Sequence, residues 1–471
     1  MSTPHSVGNL RLPDTAASTL TAAQDVFVDY FRCPAKYAWF ESADDLSSAE
    51  GYFTFGEAMA YGRLRGGRVA ASPAAGLVDA ADAVVADGGR LELPFDLAAV
   101  VTNLREERYP QTSGGLAERL TAGRAIQGAY YFIRPLMPVA VRRHLQRIRL
   151  SGWQSIAFPR WPVDSSVDAL MRHTAGELLR ASGARRLPFV WFWPEGAPSC
   201  AVMTHDVEGP AGQEFCGELM DLDESFGIKG AFQLVPEERG TTSAALVNRF
   251  RERGFEVNLH DLNHDGYLFH NKPQFLERAA RINQYARDFA CRGFRSGAMY
   301  REQRWFDAFE FSYDMSVPNA AHLEPQRGGC CTVMPYFIGK ILELPLTTTQ
   351  DYSLFHILGE YSIERWKTQI DLLRSLNGYI SFITHPDYLI DRRARNVYTA
   401  LLAHLSRLRD QEGLWIALPG EVDQWWRDRS SMTMVPHGDS WKIQGPGSDR
   451  ARLAYARLVG DRVVYDVDTQ S

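Results

Sequence analysis

Between Pro198 and Trp426 short β-branched or aromatic runs alternate with longer amphipathic ones, and no other feature limits so strongly how this chain can fold. A strand that returns parallel to its predecessor needs a crossover of a dozen or more residues, usually helical, so repeated βα units build a parallel sheet, open or closed into a barrel. The expected strands are Cys200 to Thr204, Gly230 to Val235, Phe255 to Leu259, Gly293 to Ser296, Ile341 to Leu344, Tyr379 to Thr384 and Leu414 to Ala417. Amphipathic runs such as Pro273 to Cys291 and Tyr361 to Leu376 read as the intervening helices. Polar residues follow several of these strands. In a parallel barrel the C-terminal strand ends carry the site, so Asp206, His260, Arg295 and His385 are expected at one mouth.

Residues 1 to 197 differ in character, with an irregular Gly-rich start, an alanine-rich patch near Ala70 to Ala86 and a basic helical stretch from Leu120 to Leu150. That stretch includes Val139 to Arg149, read as a solvated basic face packed through Leu145 and Ile148 rather than as a contact with anionic lipid. After Trp426, segments around Trp441 to Ile443 and from Ala451 to Asp466, with turns at Gly445-Pro446-Gly447 and Gly460-Asp461, read as a small β appendage. Three parts are therefore expected: 1–197, 198–428 and 429–471.

A formal charge of -6 over 471 residues argues against a general nucleic-acid binder, which needs a basic face to release counterions. Met1 to Asp14 lacks the apolar core of a secretory signal, which points to a cytoplasmic protein. The best apolar candidate, Tyr130 to Val141, is interrupted and falls short of the roughly 20 residues of a spanning helix. Cys33, Cys200, Cys216, Cys291, Cys330 and Cys331 form no CxxC pair, so they read as reduced core residues.

His260 and His264, four residues apart, follow Thr204-His205-Asp206-Val207-Glu208 at a distance that suggests one divalent-metal site built from two strand ends. Imidazoles at i and i+4 face the same way on a helical turn, and a carboxylate completes three ligands with one position left open. Among twelve histidines an isolated HxxxH reads as surface or packing, but its place after a strand and downstream of the acidic run favours a metal. Two imidazoles and a carboxylate suit Zn2+ first, and Co2+, Ni2+ or Mn2+ satisfy the same set.

From Pro198 to Trp426 the chain resembles polysaccharide deacetylases of the NodB-homology type, carbohydrate esterase family 4, through four motifs in order. The first is Thr204-His205-Asp206-Val207-Glu208, where Asp206 matches the catalytic base; Val207 replaces the second aspartate of the common pattern, so Glu208 takes the part of metal ligand. The two carboxylates divide base and ligand between them. The second is His260-Asp261-Leu262-Asn263-His264, with Asp261 in place of Ser or Thr and able to orient an imidazole. The third, Phe294-Arg295-Ser296-Gly297-Ala298-Met299-Tyr300, lacks the family proline; the resemblance implies that Arg295 holds Asp206 ionised and that a backbone N–H near Tyr300 meets the substrate's oxyanion. The fourth is Ile380 to Asp387, in which His385 is the implied general acid, with Asp351 as candidate partner and Asp387 second.

The resemblance implies an α/β fold, a distorted (β/α)7-type barrel with an N-terminal α+β region and the β appendage. It also implies a metal-dependent hydrolase that removes N-acetyl groups from a sugar in a polysaccharide or glycan precursor. The rival readings are an O-acetyl esterase or cyclic-amide hydrolase on the same fold, and a non-catalytic glycan-binding or assembly protein. Tyr267, Phe269, Tyr300 and Tyr352 could stack on sugar rings or pack the rim.

Overall fold

The computed structural model describes residues 20–87, 90–111, 139–238 and 242–468. Met1 to Asp14, most of Tyr130 to Val141 and most of the basic stretch before Val139 lie outside the described residues. The chain divides into two compact units, one of Met1–Tyr109, Ser165–Gly196 and Arg427–Ser471, the other of Pro110–Asp164 and Ala197–Trp426.

The second unit is the expected barrel. Its strands are β1 (Cys200–Val207), β2 (Ala231–Leu234), β3 (Glu256–His260), β4 (Gly293–Arg295), β5 (Tyr313–Asp314), β6 (Tyr336–Ile338), β7 (Ile341–Glu343), β8 (Tyr379–Thr384) and β9 (Trp415–Ile416). They form one sheet in the order β6-β7-β5-β4-β3-β2-β1-β8, with β9 also on β1. All pairs are parallel except the β6–β7 hairpin. Every residue of β1 and β8 is buried, which is why neither alternates apolar and polar residues along its length. β5 and β6 escaped the sequence reading because two or three residues carry no period.

The sheet curls until the segment after β7 meets β8, and hydroxyl groups bridge that seam. Ser381 Oγ donates to Pro345 O (2.7 Å) and accepts from Thr347 N (3.0 Å), while Thr347 Oγ1 donates to Tyr379 O (2.9 Å) and Thr348 Oγ1 to Ser381 O (2.7 Å). The main crossover helices are α1 (Pro210–Ser225), α2 (Ala244–Glu252), α3 (Lys272–Asp288) and α4 (Glu364–Ser375), with α5 (Pro386–Leu389) and α6 (Arg392–Glu412) after β8. Caps set their ends: Asn271 accepts Gln274 N before α3, Asp391 accepts two N–H groups before α6, and Gly413 closes α6 in the left-handed conformation.

Helix Val139–Arg149 and the chain to Asp164 belong with the barrel rather than with the N-terminal region, a correction to the three-part reading. Asn319 explains this: its amide bonds Asp164 N and O (2.8 and 2.7 Å), and His322 Nε2 meets Pro159 O at 2.8 Å. Leu145 and Ile148 do not pack as expected; they are 40% and 45% exposed.

In the first unit, Leu453–Val459 pairs antiparallel with both Arg462–Val467 and Leu187–Val190. The expected C-terminal appendage is thus part of the same unit as the N-terminal region. A strand needs a partner edge, and here that edge is supplied from more than 260 positions away, which local patterning does not register. Buried Arg429 fastens the arrangement by donating to the carbonyls of Tyr30, Val190 and Trp191.

All six cysteines are buried free thiols, and burial pushes those of Cys33, Cys216 and Cys291 up to about 12. Among the described residues no helix is long and apolar enough to cross a membrane.

Candidate active site

Side chains alternate along a strand, so Thr204 and Asp206 share the inner face of β1 and Glu208, one residue beyond its end, continues the series. His260 ends β3, Arg295 stands opposite it at the end of β4, and His385 follows β8 directly. Parallel pairing therefore carries all these ends to the same side of the sheet.

Asp206 and Arg295 form a buried ion pair. Arg295 Nη1 lies 2.6 Å from Asp206 Oδ1 and 2.8 Å from Thr204 Oγ1, and its Nε donates to Met315 O at 3.2 Å. Burial alone would raise the Asp206 carboxyl, but Arg295, with His260 and His385, outweighs it and holds the group below the usual carboxylate range. The other carboxylate oxygen, Oδ2, is 3.7 Å from His260 Nε2.

Glu208 Oε1 sits among three imidazoles, 2.9 Å from His264 Nε2, 3.6 Å from His260 Nε2 and 3.5 Å from His385 Nε2. Burial opposes its ionisation, yet the three neighbouring imidazoles, His264 foremost, hold it well below the ordinary glutamate value. His260 Nδ1 lies 3.2 Å from Arg295 O. A carbonyl only accepts, so Nδ1 carries the proton and the lone pair of Nε2 faces the carboxylates. That Nε2 is buried without a hydrogen-bond partner. Glu208, His260 and His264 offer one ligand atom each, all within 4.8 Å of one another, a donor set that fits a small divalent cation.

The helical turn expected for His260 to His264 is absent. The strand ends at His260, and Asp261 and His264 adopt positive φ of 58° and 55°, turning the chain so that the second imidazole comes back beside the first. Asp261 stabilises the turn: its N–H donates to Arg295 O (2.8 Å) and its Oδ1 accepts Leu262 N (2.7 Å). Gly297 packs against this loop, where a Cβ would lie 2.4 Å from Asp261 Oδ2 and 3.0 Å from His264 Cδ2.

His385 is held by Asp351, whose two oxygens take its N–H (2.7 Å) and its Nδ1 (2.6 Å). Burial lowers its pKa, but Asp351 first and Glu208 next raise it well above the ordinary histidine value. Asp387, the second candidate partner, instead accepts Gly212 N (2.9 Å) in the first turn of α1. The structure thus brings together Asp206, Glu208, His260, His264, Arg295, Asp351 and His385. Tyr300 closes the turn after β4, its N–H donating to Gly297 O at 3.3 Å. Phe269 packs against Phe275 and Trp305, whereas Tyr352 stands near the site beside Tyr388. Sequence reading missed Tyr388, whose ring centroid is 4.8 Å from that of His385. Its place three residues beyond His385, on α5, was the available signal.

No family model and no curated protein matches the sequence. Among solved structures, the chain is similar to a putative polysaccharide deacetylase from Mycobacterium smegmatis, with 15% identity over 53% of this chain and 98% of that one and a TM-score of 0.43. It is also similar to Puue allantoinase, with 13% identity over 50% and 92% of the two chains and a TM-score of 0.40. A family 4 acetyl xylan esterase from Clostridium thermocellum, in complex with a cobalt ion, aligns with 14% identity over 48% and 91% and a TM-score of 0.30.

Proposed function

We propose that this protein is a metal-dependent hydrolase that removes N-acetyl groups from a sugar in a polysaccharide or glycan precursor. The observation that carries the reading is the convergence of an arginine-held carboxylate, a Glu-His-His ligand set and an aspartate-backed histidine within one strand-end cluster. The sugar half of the reading rests on the resemblance of the four motifs.

Glu208, His260 and His264 would hold the cation, with zinc the default for this donor set. A divalent cation bound there supplies Lewis acidity to the acetyl carbonyl and makes water a stronger acid. Asp206, ionised by Arg295, takes the proton of the attacking water. An amide nitrogen leaves as an amine only if it is protonated while the C–N bond breaks, and His385, kept cationic by Asp351 and Glu208, holds that proton. Tyr388 packs its ring beside that imidazole. The products are acetate and a free amino sugar.

The test is acetate release from short N-acetylated glycans by wild type, Asp206→Asn and His385→Ala. Release by wild type that falls in each variant by about a hundredfold or more is expected. Undiminished release by either variant would remove its residue from the mechanism.

A further inference from the structure

Between Glu118 and Asp164 the sequence holds eight arginines and neither aspartate nor glutamate, within a chain of formal charge -6. Helix Val139–Arg149 carries four of those arginines. Among the described residues, one side of it is fastened to the barrel unit. Gln146 accepts from the Tyr352 hydroxyl, Arg147 Nε donates to His356 O (2.8 Å), Arg149 Nη2 donates to Pro325 O (3.0 Å), and Leu150 is buried. The other side presents Leu145 and Ile148, 40% and 45% exposed and three residues apart, hence neighbours on one helical face.

We propose that this face docks the protein on an anionic membrane surface. Single exposed apolar residues are ordinary. An adjacent apolar pair on a helix whose only formal charges are positive is the composition of a helix lying in a membrane interface, with apolar side chains among the acyl chains and the net positive charge drawing it to an anionic surface. A soluble polyanion would engage the arginines and leave Leu145 and Ile148 without a role. The helix also adjoins the candidate site, since Tyr352, bonded to Gln146, directly follows Asp351, the partner of His385. Docking would therefore hold the mouth at the bilayer, where a lipid-linked sugar is presented; this corollary, unlike the docking itself, rests on the proposed function.

The experiment is flotation of the full-length protein with vesicles of phosphatidylcholine alone or mixed with phosphatidylglycerol, at low and high salt, for wild type and a Leu145→Ser, Ile148→Ser double variant. Wild type is expected to float with the anionic vesicles, less so at high salt, and the double variant to partition about tenfold or more weakly. Matching circular dichroism and melting temperature would show that the variant is folded, and unchanged acetate release from a water-soluble substrate would separate docking from catalysis. Wild type that stays with the soluble fraction, or a double variant that floats equally well, would overturn the proposal. So would a wild-type dimer that the double variant converts to monomer with vesicle binding unaltered, because the face would then be covered by a second copy.

Discussion

A buried carboxylate can serve as the proposed base only while something holds it ionised, and for Asp206 that is Arg295. Replacing Arg295 by Met leaves a buried charge without its partner, so unfolding by denaturant is expected to show a loss of about 3–5 kcal/mol. The sign with pH follows from the depressed carboxyl: its stabilisation is present above the unfolded-state value and lost as pH falls through the lower folded one, so the Arg295→Met deficit is expected to shrink in acid. A full-size deficit in strong acid would contradict the pairing. His385 shows the opposite displacement, because Asp351 keeps its proton on well above the usual histidine range. Asp351→Asn should move the alkaline limb of the rate profile to lower pH and reduce kcat by about a hundredfold, as tautomer and orientation are lost together. An unmoved limb would assign the proton to another group. Asp206, His260, Arg295 and His385 could be picked out in the sequence because each sits at or next to a strand end in motif order, and His264 through its four-residue spacing from His260. The roles of Gly297 and Tyr388 were not, since one is defined by a missing side chain and the other by a ring contact.

Short elements position the site, and two of them can be loosened selectively. The loop from Asp261 to His264 returns the second imidazole through two left-handed residues, and Gly297 leaves just enough room for it. Gly297→Ala is expected to displace that loop and weaken metal binding about 10- to 100-fold, measured by competition with a chelator, while the melting temperature changes little. Unchanged affinity would show that the loop has slack. At the seam, Ser381→Ala removes a hydroxyl that serves both Pro345 O and Thr347 N, and a loss of about 1–3 kcal/mol in urea unfolding is expected. Stability equal to wild type would mean that the sheet does not depend on this bridge. β8 itself was read from the sequence to its end residues because it is long, apolar and followed by Pro386. The turn after β3 was misread as helical because an i, i+4 histidine pair fits either geometry, and only the backbone angles distinguish them.

For the whole molecule, all seven gathered candidate site residues come from the barrel unit, within the stretch from Pro198 to Trp426 that carried the four motifs. The three-part division did not survive, because Leu453–Val459 finds its partner in Leu187–Val190 and Asp164 finds its partner in Asn319. Such pairings join residues far apart in sequence and leave no local period. The central claim is that Glu208, His260 and His264 hold a catalytic cation. Asp206 and Glu208 raise the pKa of His260 despite its burial, and a proton there competes with metal, so loading is best compared near neutral pH rather than in acid. The most direct measurement is elemental mass spectrometry of purified wild type and a His260→Ala, His264→Ala double variant, each checked for fold and for acetate release. Near-stoichiometric metal in wild type, lost together with activity in a folded double variant, is expected. A folded wild type that takes up no metal on reconstitution, or a double variant that keeps metal and activity, would contradict it.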